Sequence, residues 1–109
     1  MARRRRRTGL GGTPEHHSRR AIESFDEAER LARKAASNAR GNECWRAFDI
    51  LHSADHFYGA GLAHMSQTPR TAKMEARDKE VRASIRDAVE SFRPNCVRKS
   101  SQRFTPDDD

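Results

Sequence analysis

Five consecutive arginines, Arg3, Arg4, Arg5, Arg6 and Arg7, are the densest chemistry in this chain. A guanidinium is permanently charged and grips phosphate through two parallel hydrogen bonds, so such a run suits a polyanion. Like charges repel and nothing apolar is buried there. The run, with Gly9, Gly11 and Gly12 behind it, therefore predicts a disordered arm over residues 1–12. Phosphate contacts release counterions, and five of them give a log–log salt slope of about −3.5 to −4.5. Arg19 and Arg20 extend the footprint onto the segment that follows. Arg30, Arg33, Lys34 and Arg40 continue a basic face, but Glu23, Asp26, Glu27 and Glu29 interleave with it as ordinary helical ion pairs do. The plainer alternative is a solubilising tail with no dedicated ligand; an anionic membrane surface or an acidic protein is a third reading.

Metal chemistry has one candidate set. His52 and His56 are four residues apart and rise from one helical face, as a two-histidine site requires. Asp49 precedes His52 by three, and His16 or His17 could complete the set. The stretch His52-Ser53-Ala54-Asp55-His56 lacks the glutamate of a zinc-protease pair, and the paired Glu-x-x-His units of a di-iron bundle are missing. Solvent-exposed or hydrogen-bonded structural histidines are the expectation, with no metal and no cofactor. Asp55 projects to the edge of an apolar arc and would need an arginine from the third helix, Arg82 or Arg86. Ser53, Asp55 and His56 make no triad, because near neighbours on one helix point apart. Nucleophile elbow, phosphate-cradling glycine loop and paired catalytic carboxylates are all missing from the sequence, so a non-enzymatic protein is expected. Trp45 is the one aromatic on the polar side of its helix. It could stack on an unpaired base, though packing against a helix or a partner is the simpler role.

The elements that position these residues are sharply punctuated. Thr13-Pro14-Glu15 is a helix start with an N-cap, a first-turn proline and an acid at the positive dipole end. Ala21, Phe25, Ala28, Ala32, Ala35 and Ala39 then recur at alternating spacings of four and three, predicting a helix over 14–40. Gly41 is expected to supply a left-handed stop and Asn42 to cap the next helix. Over 43–65, Cys44, Ala47, Leu51, Ala54, Tyr58, Gly61 and Met65 keep the same alternation. Phe48, Ile50, Phe57 and Leu62 widen that face enough to predict this helix as the centre of the fold. Thr68-Pro69 predicts a third start, with Met74, Val81, Ile85, Ala88, Val89 and Phe92 facing inward, a polar first half that frays or projects, and an end before Pro94. No strand pattern occurs. The fold class is all-α: an antiparallel three-helix bundle over 13–93, with a disordered tail over 94–109. The acidic end, Asp107 to Asp109, is either a solvated terminus or a competitor that folds back on the arginine arm.

Composition bounds the rest. Only 34% of the 109 residues are hydrophobic and 35% are charged, with a net charge of +6. Such a chain builds a small core, so self-association or a partner through the apolar helix faces is expected to help hold it. No stretch reaches the roughly 20 apolar residues of a membrane span, and no signal peptide precedes the domain. Two cysteines in the cytoplasm this implies would be free thiols: Cys44 a small buried hydrophobe, Cys96 an exposed one in the tail, with a bridge between them only weakly supported.

The stretch Gly9-Leu10-Gly11-Gly12-Thr13-Pro14-Glu15-His16, followed by the alanine-rich helix and Gly41-x-x-Cys44, resembles small orphan accessory proteins of tailless single-stranded-DNA phages, the microviruses. The resemblance covers roughly residues 3–65. It implies an accessory protein in the host cytoplasm that touches the viral genome, and it carries no catalytic or binding residues across.

These features converge on largely sequence-independent binding of nucleic acid through the phosphates, with DNA placed ahead of RNA as the partner. The ligand spacing of a zinc finger, a basic region joined to a zipper and the aromatic strands of an RNA-binding sheet are all missing. The alternative is a helical protein–protein interaction module, a scaffold or adaptor, whose exposed apolar strip would include Phe57 and Ile50.

Overall fold

A computed structural model describes residues 12–97, which are all-helical apart from their turns. Helix α1 spans Pro14–Arg40, α2 Cys44–Met65 and α3 Ala72–Phe92, and a final π-helical turn covers Arg93–Val97. The helices run up, down and up, so α1 and α3 are parallel.

Local chemistry sets the boundaries. Thr13 caps α1 by accepting from the His16 backbone N–H at 3.1 Å, and Pro14 occupies the first turn. Between α1 and α2 the left-handed residue is Asn42, with φ of 63°, while Gly41 keeps a negative φ. Asparagine tolerates this region better than most side chains do. Asn42 therefore makes the turn rather than capping α2, and Glu43 stands at the cap position. The third start is displaced in the same way: Pro69 stays in the connection, and Thr71 caps α3 by accepting from the Met74 N–H at 3.1 Å.

The wide apolar face of α2 points to it as the central helix, but α1 takes that place. Nine residues of α1 are buried, against four of α2 and three of α3. The reason is side-chain size. The stripe Ala21, Ala28, Ala32, Ala35 and Ala39 lets two backbones approach α1, and these five and Phe25 are all buried. Large apolar residues on α2 count toward amphipathicity, yet Trp45 and Phe48 stay exposed.

The core is layered along the bundle. Phe25 packs with Ala21, Ala28, Met65, Met74 and Val81 in one layer; Ala35, Ala36 and Ala88 form the next, with Ile50 and Leu51 against them. At the far end Ala39 and Ala47 pack with Cys96. Cys96 is buried and joined to Cys44 in a disulfide, with Cα atoms 5.5 Å apart. This corrects the expectation of two free thiols and of an exposed Cys96. In an up-down-up bundle the start of α2 and the end of α3 share one end, and the turn Arg93–Val97 carries Cys96 back against α2. The folded chain thus continues past Pro94.

The polar first half of α3 is held rather than frayed. Arg77 reaches Asp26 and Glu29 of α1 at 2.7 and 3.0 Å, and also pairs with Glu80. Burial works against the Arg77 charge, but the hydrogen bonds it donates to Glu80, Glu29 and Asp26 outweigh it and hold its pKa above the ordinary arginine value.

Candidate nucleic-acid interface

Arg3 to Arg7 and Asp107 to Asp109 lie outside the described residues. What can be placed is the end of the bundle from which the basic run departs. The described chain begins at Gly12, beside the first turn of α1, and the parallel arrangement brings the start of α3 to the same end. There Arg19 and Lys73 line an open groove with Glu15, Ser18, Glu23 and Met74. Two acids offset the two cations inside this groove, so it is not a closed phosphate pocket.

The cations differ in how they are employed. Arg30 pairs with Glu27, Arg33 with Glu29, and Arg40 with Asp87 at 3.8 Å and the Ser91 hydroxyl at 2.9 Å. Most of the basic face of α1 is thus internally committed, as its interleaved acids foretold. Arg20 pairs loosely with Glu23 at 3.4 Å. Arg19, Arg70 and Lys73 are exposed and have no acidic partner among the described residues. These three stand at the end of the bundle where the arginine run joins it.

Several sequence expectations resolve differently. Asp55 is exposed and carries no ion pair among the described residues. The partnered carboxylate is Asp78, which accepts from the Tyr58 hydroxyl at 2.6 Å and from Arg82 at 3.3 Å. Arg82 is therefore spent within α3 and does not serve Asp55. Burial first, and Asp78 second, push the Tyr58 phenol up to about 12. Phe57 and Ile50 are half-buried against the core, so among the described residues the exposed large apolar side chains are Trp45 and Phe48 instead. Trp45 is 78% exposed, so it packs on no helix of this bundle.

His52, His56 and Asp49 all remain on exposed positions of α2. His16 and His17 do not reach them. Antiparallel pairing brings His17 to His64, with the two Nδ1 atoms 2.9 Å apart, and His64 lies eight residues, about 12 Å, along α2 from His56. Burial, then the neighbouring His17, Arg20 and His16, hold the His64 pKa below the ordinary histidine value. Among the described residues, no group of three or more His, Cys, Asp or Glu side chains could, as it stands, hold a metal ion.

No family model, curated protein or solved structure matches this chain. Any function must therefore be read from the residues themselves. No helix among the described residues is long and apolar enough to cross a membrane.

Proposed function

We propose that this protein is a non-enzymatic binder of nucleic-acid phosphates, with little preference for sequence. One observation carries the reading: five consecutive arginines join the bundle, through a glycine-rich connection, at the end where Arg19, Arg70 and Lys73 are exposed without acidic partners. The arm supplies most of the charge and these three cations, with Arg20, extend it. The bundle contributes a rigid base. The resemblance of residues 3–65 puts DNA ahead of RNA as the ligand and fits an accessory role in a single-stranded-DNA phage. Anisotropy of labelled DNA and RNA, with and without residues 1–8, tests it.

A cytoplasmic setting goes with this reading and has a consequence for the disulfide. A reducing compartment would hold Cys44 and Cys96 as thiols, so thiol trapping at harvest reports on the compartment.

A second reading rests on a different observation. Phe48, Leu51, Ile85 and Val89, together with His52 and Asp55, line a groove of about 210 Å³ between α2 and α3, with Trp45 exposed on the same helix as Phe48. The groove is smaller than the roughly 300 Å³ of a small-molecule site, and four of its six lining side chains are apolar, as at a protein contact. In that case association would be insensitive to salt.

A further inference from the structure

Three imidazoles meet where α1 begins and α2 ends. The ring centroids of His17 and His64 are 5.2 Å apart, those of His16 and His17 5.3 Å, and those of His16 and His64 6.2 Å. Three imidazoles bound at about 2.0–2.1 Å to one tetrahedral ion would have centroids roughly 5 Å apart. Two donor nitrogens on such an ion stand about 3.3 Å from one another. The Nδ1 atoms of His17 and His64 are 2.9 Å apart, a few tenths of an ångström short of that separation.

We propose that His17 and His64 form a two-point site for a divalent transition-metal ion of zinc's class, with His16 turning in as the third ligand and water filling the fourth position. His17 is buried and His64 half-buried, so both rings are pre-positioned by the packing of α1 on α2. His16 is half-buried in the first turn of α1 and packs over Gly12, at the margin of the bundle. One proton lies between the two Nδ1 atoms. When the ion arrives, the ring carrying that proton gives it to water and takes one back on Nε2, so the ring stays a neutral imidazole and both Nδ1 lone pairs face the metal. An all-imidazole donor set selects zinc, nickel or copper over magnesium or calcium.

The test is calorimetric titration of the full chain with zinc chloride, and with magnesium chloride as the comparison. Zinc binds one to one and magnesium does not. His64→Gln weakens zinc binding by about tenfold or more, since even second-shell losses at metal sites cost that much. His16→Ala, at the bundle margin, also weakens it without loss of helicity. The double variant His52→Ala/His56→Ala leaves it unchanged. In the wild-type protein, zinc shifts the imidazole resonances of His17 and His64 and leaves those of His52 and His56 in place, a readout independent of whether any variant folds. No zinc binding, or binding lost with His52 and His56 and retained in His64→Gln, overturns the proposal.

Discussion

The Phe25 ring lies against the backbone of Gly61: a methyl group added at Gly61 would meet two of its ring carbons at 2.6 Å. Phe25 is fully buried and belongs to the layer that joins all three helices. Gly61 is therefore the position at which α2 approaches α1 closely enough to seat the largest core side chain. Gly61→Ala is expected to cost about 1–3 kcal/mol through overpacking. Gly59, two residues earlier, has open space around it and is exposed. Gly59→Ala is expected to stabilise by about 0.5–1 kcal/mol through helix propensity. Urea denaturation of both variants checks the pair; equal effects would contradict this packing.

The Cys44–Cys96 bridge spans 52 residues of sequence and ties the last turn of the fold to the first turn of α2. In a domain with so alanine-rich a core, it is expected to contribute about 2–4 kcal/mol. Cys96→Ser, or dithiothreitol on the wild type, should lower the urea midpoint accordingly. The loss should be local first, since the Phe25 layer lies at the opposite end. An unchanged midpoint on reduction would show that the bridge does not form in solution.

Tyr58 is the one tyrosine in the chain, so its ionisation can be followed by ultraviolet absorbance without ambiguity. Burial and Asp78 raise it to about 12, so little tyrosinate should form below about pH 11 in the folded protein. The sign of the linked stability follows. The fold favours the neutral phenol, so this contribution is full below the unfolded value near 10 and is lost as pH rises from about 10 toward 12. Asp78→Asn should bring the midpoint only part of the way back, because burial is the larger cause. A wild-type midpoint near 10 would contradict the Tyr58–Asp78 contact.

Much of this fold was legible in the alanine stripe and the caps. The stripe from Ala21 to Ala39 is buried at every position, because a fixed alternation of four and three leaves a helix one way to face its neighbours. Centrality was misread because apolar width measures bulk, whereas close helix approach depends on small side chains; α1 has the alanines and α2 the exposed Trp45 and Phe48. The third cap was misassigned because Thr68-Pro69 and Thr71 offer the same local chemistry, and only the bond to the Met74 N–H distinguishes them. The disulfide and the His17–His64 contact both needed register, which joins residues 52 and 47 apart. Register was nonetheless within reach. A turn centred on Gly41 and Asn42 pairs Phe25 with Tyr58, and continuing the antiparallel count brings His17 to the vicinity of His64. The arginine run contributes charge but no packing pattern, so its role rests on chemistry alone.

The central claim is phosphate binding led by the arm, and salt dependence tests it most directly. Fluorescence anisotropy of labelled single- and double-stranded DNA and RNA would be measured from about 50 to 200 mM salt, for the full chain and for a variant lacking residues 1–8. The account predicts a log–log salt slope near −4 for the full chain and loss of most of the affinity on truncation. Charge reversal of Arg19, Arg70 and Lys73 to Glu should weaken what remains. Weak binding that truncation leaves unchanged, with a slope near zero, would contradict the account and favour a protein partner on the α2–α3 groove.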